Sequence, residues 1–240
     1  MKILITCPPM IKQISRYHDI LIEKNFQYYC PNVKQIMSEE ELINLLPNYD
    51  GWIIGDDPAT RKVFEAGKNG QLKAAVKWGV GVDNVDFEAC KDLNIPIINT
   101  PGMFGNEVAD IAIGYLLGLS RDLFYIDREV RKGNWIKPTG VSLSGKKVCL
   151  VGFGDIGRNI AKRLIPFEFD IYVSDPGFYK NNDEKIICQY DNSLIIPDQL
   201  NIVKIEQLDT CLKDADFVII SCSLNKHTFN LLNKDNIVFT

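Results

Sequence analysis

No apolar run in this sequence approaches the ~20 residues needed to span a bilayer; the longest, Ile111 to Leu119, has nine. Met1-Lys-Ile-Leu-Ile-Thr6 is too short for the apolar core of a secretory leader, and Pro8-Pro9 follows it, so it reads as a first buried strand. A long basic run is also missing. Lysine and arginine number 27 against 31 acids, for a net charge of -4, so neither nucleic acid nor an anionic membrane is expected as a partner. Cysteines are present but unclustered: Cys7, Cys30, Cys90, Cys149, Cys188, Cys211 and Cys222 are odd in number and form no CxxC pair. That scatter excludes a zinc site or disulfide framework and leaves buried free thiols in a reducing, cytoplasmic compartment. No metal site is expected.

What is present is an ordinary globular composition, 46% hydrophobic and 24% charged, in a chain of 240 residues, long enough for one or two domains. The first hundred residues alternate short apolar runs with helical patterns, the mark of a parallel sheet with crossover helices. Strands are expected at Lys2–Thr6, Trp52–Ile54, Leu72–Lys77 and Ile95–Asn99. Helices are expected at 11–24, at Glu39–Leu46 with Ser38 as N-cap, at Arg61–Ala66 and at Phe87–Leu93. This half reads as a small flavodoxin-like α/β unit. After Pro101-Gly102 the longest helical pattern begins near Phe104. Val108, Ile111, Ala112, Tyr115 and Leu119 share one stripe, and Ile113, Leu116 and Leu117 widen it almost all round, which predicts deep burial. Gly114 and Gly118 permit close approach of another backbone, within the domain or at a subunit interface. Two domains follow, 1–100 and 101–240. Pro176 to Leu200 is the least patterned stretch and reads as a loop-rich excursion.

The chemistry is concentrated in Val148-Cys-Leu-Val-Gly-Phe-Gly-Asp-Ile-Gly157. A β-branched apolar run stops at glycines spaced GxGxxG, and a helix pattern (Arg158 to Leu164, stopped by Pro166) follows at once. Gly152 allows a tight turn, Gly154 lets backbone approach a pyrophosphate, and Gly157 lets the helix pack on its strand. A second strand, Phe169 to Ser174, ends in Asp175, eighteen residues past Gly157. This is close to the separation of ~20 expected for a carboxylate that holds the adenosine ribose. The pattern reads as a site for NAD.

Three more segments carry information. Lys77-Trp-Gly-Val-Gly-Val-Asp-Asn-Val-Asp86 places Gly79 and Gly81 directly after a strand. It reads either as bare N–H groups open to an anion or as a plain turn with Asp86 as N-cap. Asn99 to Asp110 leads into the long helix. Asp216-Phe-Val-Ile-Ile-Ser-Cys-Ser-Leu224, then Thr228 and Leu231-Leu232, is a later strand whose C-terminal end faces the cofactor crevice. In their order along the whole chain these motifs resemble the D-isomer-specific 2-hydroxyacid dehydrogenases, in particular the D-3-phosphoglycerate dehydrogenase-like branch. The resemblance implies a flavodoxin-like substrate domain followed by a Rossmann NAD-binding domain, both with parallel sheets, and a homodimer. It also implies hydride transfer between NAD and C2 of a small 2-hydroxy or 2-oxo acid. By the same resemblance, Val80 and Gly81 offer N–H groups to the substrate carboxylate. Within the cofactor site formed with Gly152, Gly154 and Gly157, Asp155 and Ile156 lie along the pyrophosphate, and Asp175 binds the ribose and repels a 2′-phosphate. Ser221, Ser223 and Thr228 line the cofactor, where the family usually has His and Pro at the first two.

The family's Arg, Glu and His should follow the segment matching Asp216 to Leu232, but Asn233 to Thr240 contains none of them. No catalytic residue is therefore expected in these 240 residues. The expectation is a Rossmann domain short of its C-terminal part, a fragment without turnover. His18, in a first helix, and His227, beside Thr228, read as solvated polar residues, and Arg61 as the start of an exposed helix. The turn Gly55-Asp-Asp-Pro58 lacks the Arg-Ser kind of phosphate contact, which argues against phosphoglycerate as substrate. Two alternatives stand beside the dehydrogenase: a non-catalytic NAD-binding or interaction subunit, and another Rossmann enzyme such as a methyltransferase. The second is disfavoured by the preceding α/β unit and the Gly79/Gly81 loop.

Overall fold

Strand alternation builds the first sheet. In β1 (Lys2–Ile5) Leu4 faces one side and Ile3 and Ile5 the other, and both sides are covered. The computed structural model describes residues 1–180, 186–188, 200–203 and 208–237, with 179–180, 186–188 and 200–203 by backbone alone. It divides into two compact units, Met1–Met103 and Phe104–Thr240.

In the first unit β1 is followed by α1 (Pro8–Ile11), α2 (His18–Glu23), β2 (Gln27–Tyr29), α3 (Glu39–Leu45) and β3 (Gly51–Ile54). Then come α4 (Arg61–Asn69), β4 (Ala74–Lys77), α5 (Phe87–Asp92) and β5 (Ile97–Asn99). All pairings are parallel, in the order β2-β1-β3-β4-β5. This is the flavodoxin-like winding. Leu4, Trp52, Ile54 and Ala75 pack with Leu42, Leu46, Val63 and Phe64 on one face, while Ile3, Ile5 and Met10 form the other core.

The second unit begins with α6 (Gly105–Ser120) and α7 (Leu123–Arg131). Then come β6 (Lys147–Val151), α8 (Asp155–Leu164), β7 (Asp170–Ser174), β8 (Phe178–Lys180), β9 (Ile186–Cys188), β10 (Leu200–Val203), α9 (Leu208–Asp214) and β11 (Phe217–Ile220). Its sheet is parallel in the order β10-β7-β6-β11, which counted within the unit is 3-2-1-4, a Rossmann arrangement. β6 is apolar on both sides, as a central parallel strand must be. Val148 and Leu150 meet α6 and α8, while Cys149 and Val151 meet α9. Asp216 fixes the start of β11, bonding Lys146 Nζ and the Lys147 amide, each at 2.8 Å.

Several sequence expectations need correction. The helix expected over 11–24 is two short helices joined by a 3-10 turn at Ile14–Arg16. Pro8 and Pro9 start the helix early, where a missing N–H costs nothing. β2, α7 and α9 escaped a reading by pattern. Of Pro176 to Leu200, residues 181–185 and 189–199 lie outside the described residues; the rest holds the β8–β9 hairpin and the first residue of β10, the third strand of the sheet.

The largest correction concerns α6. Val108, Ile111, Tyr115 and Leu119 are exposed, Ile111 by 61% and Leu119 by 69%, and the buried positions are Gly105, Ala109, Leu116, Gly118 and Ser120. The small residues settle the direction. A Cβ on Gly105 would lie 2.2 Å from Asp155 Oδ2, so this is where α6 meets α8. Gly118 makes room for the Phe124 ring of α7, 2.2 Å from its would-be Cβ, rather than for another backbone, and Gly114 faces open space.

The Ser38 cap is the clearest local stabiliser. Its Oγ accepts from the Glu41 amide at 3.3 Å, and Glu41 Oε2 accepts from the Ser38 amide at 2.8 Å. Ser38→Ala is expected to lower the unfolding free energy by about 1 kcal/mol, read as a shifted midpoint with unchanged slope in urea denaturation.

Candidate functional site

β6 ends at Val151, and the chain must then turn sharply to start α8 at Asp155. Gly152 does this at φ +94, in the region that favours glycine. It also has no room for a side chain: a Cβ would meet the Cys222 amide nitrogen at 2.6 Å. A Cβ on Gly157 would meet the Gly152 carbonyl oxygen at 2.3 Å. Gly154, the N-cap of α8, has nothing within 4 Å of its would-be Cβ. The first and third glycines are therefore demanded by packing, and the second keeps a space open.

That space is a cleft of about 680 Å³ at the C-terminal ends of β6, β7 and β11. It brings together six of the nine expected cofactor residues: Gly152, Gly154, Asp175, Ser221, Ser223 and Thr228. Gly157 lies behind, as packing against Gly152. Asp155 and Ile156 open α8, and their amides have no partner among the described residues, as the first turn of a helix requires. The Ile156 side chain packs into the core. The Asp155 carboxylate turns away to Gly105 and Asn159, accepting from Asn159 Nδ2 at 3.2 Å while its buried Oδ2 has no partner. Neither Asp155 nor Ile156 is among the residues that line the cleft; they follow directly on Gly154, which does.

Asp175 is held from below: Oδ2 accepts from the Phe153 amide and Oδ1 from the Gly177 amide, each at 2.7 Å. Ser221 Oγ donates to the Gly152 carbonyl at 2.8 Å, clamping the turn. Thr228 Oγ1 donates to the Ser223 carbonyl at 2.5 Å and accepts from the Asn225 amide at 2.8 Å, closing the loop after β11. Pattern reading missed Ser174, Pro176, Cys222, Asn225, His227 and Leu231 in this wall. His227 is solvated, as expected, yet stands on the cleft. Burial makes these cysteines poor nucleophiles: it pushes Cys90 and Cys149 up to about 12 and raises Cys222. The cleft fits a dinucleotide: unpaired amides and a helix N-terminus attract phosphate charge, and a fixed acid stands at the end of the second strand.

In the first unit, β4 runs into the Gly79–Gly81 loop. The Gly79 amide is spent on Thr100 Oγ1 at 2.9 Å, and the Gly79 carbonyl accepts from the Thr100 amide at 3.1 Å. The amides of Val80 and Gly81 make no hydrogen bond among the described residues. The turn reading of this loop is met, since Asp86 caps α5 by accepting from the Ala89 amide at 2.7 Å. A cavity of about 260 Å³ lies here, lined by Asp56, Lys77, Trp78, Gly79, Gly81, Asp83 and Asn84. Lys77 was missed, although alternation in Ala74–Lys77 places it on the same face as buried Ala75; a lysine at a core position is itself a signal. The turn before α4 is rigid. Buried Asp57 accepts from Thr6 Oγ1, the Met37 amide at 2.8 Å and the Gly55 amide at 3.1 Å. Arg61 starts α4 and pairs with Asp92 on the surface. His18 bonds the Tyr28 hydroxyl at 2.9 Å, exposed.

Fold and cleft together define a dinucleotide-binding α/β protein. Residues 113–238 match the family model of the D-isomer specific 2-hydroxyacid dehydrogenase, NAD binding domain. A hydroxypyruvate reductase of Thermotoga maritima is 30% identical over 204 residues, 84% of this chain and 60% of that one. A D-3-phosphoglycerate dehydrogenase of Archaeoglobus fulgidus is 31% identical over 205 residues, 84% of this chain and 36% of that one. Among solved structures, a NAD-dependent formate dehydrogenase from Staphylococcus aureus in complex with NAD superposes with a TM-score of 0.77. It is 25% identical, and the match covers 98% of this chain and 69% of that one. The chain belongs to the D-isomer specific 2-hydroxyacid dehydrogenase family. It spans 60% of the length of the hydroxypyruvate reductase it matches.

The glycines separate by what a methyl group would meet. Gly154→Ala is expected to fold normally and to bind NADH about tenfold more weakly, a cost near 1.4 kcal/mol. Gly157→Ala is expected to lose about 3 kcal/mol of stability through overpacking against backbone. Thermal melts and fluorescence titration of the two variants side by side check both.

Proposed function

We propose that the unit Met1–Met103 binds the acid and the unit Phe104–Thr240 binds NAD, for hydride transfer between nicotinamide and C2 of a 2-hydroxy or 2-oxo acid. The observation that carries the reading is the convergence of Gly152, Gly154, Asp175, Ser221, Ser223 and Thr228 on one cleft. Bound NAD supplies the hydride acceptor or donor. The Asp155 and Ile156 amides and the α8 dipole hold the pyrophosphate. Asp175, already fixed by two amides, has lone pairs left for the ribose hydroxyls and disfavours a 2′-phosphate by charge. The Val80 and Gly81 amides take the substrate carboxylate, and Gly79, tied to Thr100, keeps them in place.

The hydroxypyruvate reductase and phosphoglycerate dehydrogenase among the relatives support short acids as substrates. The uncovered α6 stripe supports a homodimer, and the free thiols a cytoplasmic setting.

The second reading is a non-catalytic NAD-binding or interaction subunit. It is favoured by the histidines: His18 bonds a tyrosine on the surface, His227 lines the dinucleotide cleft, and among the described residues no histidine lines the cavity at the Gly79–Gly81 loop. Asp175→Ala is expected to weaken NADH binding at least about tenfold in fluorescence titration; unchanged affinity would remove the ribose assignment. The purified 240-residue chain is expected to enhance NADH fluorescence yet reduce no 2-oxo acid above background. Sustained NADH oxidation with glyoxylate or hydroxypyruvate would overturn the second expectation and reveal an acid–base within these residues.

A further inference from the structure

We infer that Asp56, held by Lys77, restricts the acid site to substrates whose far end is neutral, a hydroxyl above all, and excludes a distal phosphate or second carboxylate. The inference rests on the reading of Val80 and Gly81 as the carboxylate site and adds the substrate class.

An acid seated on those amides has its other end against the walls of the 260 Å³ cavity, which include Asp56, Lys77, Asp83 and Asn84. The cavity is smaller than the ~300–1,000 Å³ typical of drug-sized ligands and suits a small acid. Lys77 is a cation in this wall, but two of its three ammonium N–H groups are already engaged. Nζ donates to the Gly55 carbonyl at 2.5 Å and to Asp56 Oδ1 at 2.9 Å. Its side chain is 4% exposed, whereas that of Asp56 is 83% exposed. The group presented to an entering ligand is therefore the carboxylate, with the cation behind it. Asn84 braces the same turn, donating to the Gly55 and Asp57 carbonyls at 3.2 and 2.6 Å. With Asp83 also in the wall, the charged side chains of the cavity sum to -1 (Lys77 against Asp56 and Asp83). A phosphate of charge about -1.5 to -2 is repelled there, while a hydroxyl can donate to Asp56 Oδ2.

The test is calorimetric titration of the 240-residue chain with D-glycerate and with D-3-phosphoglycerate, in low and in high salt. Because Asp56 is solvated, the discrimination is moderate: glycerate is expected to bind about tenfold more tightly in low salt. The ratio should shrink in high salt as the charges are screened, and shrink likewise in Asp56→Asn in low salt. The salt arm needs no variant. Phosphoglycerate binding as tightly as glycerate in low salt, or a ratio that survives both salt and Asp56→Asn, overturns the inference and leaves the acid site standing. If neither acid binds, the carboxylate reading of Val80 and Gly81 falls, and the inference with it.

Discussion

Three passages of backbone meet at Gly152 with no space for a side chain among them. The end of β6, the first turn of α8 and the residues after β11 come within 2.3 to 2.6 Å of positions where a Cβ would sit. Everything in the dinucleotide cleft depends on this approach. It aims the start of α8 at the opening, and it puts Ser221 within reach of the Gly152 carbonyl. It also leaves the Phe153 amide as the anchor for Asp175. A methyl group at Gly152 or Gly157 would separate elements whose alignment is the site itself.

Much of this was legible in the sequence because it is local. A GxGxxG needs its glycines wherever strand, turn and helix follow within ten residues, and an acid at the end of the next strand is one crossover away. The Ser38 cap and the β-branched core strands were readable for the same reason. What escaped depended on partners distant in sequence. Periodicity along α6 found an apolar stripe, but burial went to the side with Gly105 and Ala109, because only small residues let α8 approach. The break between α1 and α2, and the presence of His227 in the cleft wall, likewise follow from packing that no local pattern encodes.

In the Gly79–Gly81 loop one reading of the motif is met, the Asp86 cap, and the amides left for the other can be named. Gly79 and Gly81 looked alike in the sequence. Their amides are not alike: Thr100 consumes the first, and the amides of Val80 and Gly81 stay unpaired. A turn that caps α5 through Asp86 can still present an anion site, because the cap uses a carboxylate several residues further on. The cap and the proposed anion site would use different atoms of one segment.

The two sites then share a physical device. Among the described residues no lysine or arginine lines the dinucleotide cleft, and the lysine at the acid cavity is committed to Gly55 and Asp56. In the proposed reading, negative charge on a ligand would be met by backbone amides and, at α8, by the partial positive charge of a helix N-terminus, roughly half an elementary charge. Amides fixed by the fold accept an anion of the right placement but do not follow it if it moves. A carboxylate beside them would therefore discriminate by charge: in the proposed reading Asp175 disfavours one extra phosphate on a ribose, and solvated Asp56, more moderately, one extra phosphate on an acid. A mobile cation in either wall would blunt that distinction, since it could swing to neutralise the added charge. Lys77 cannot do so while its ammonium remains buried between two acceptors, so its confinement matters to selectivity as much as its charge does.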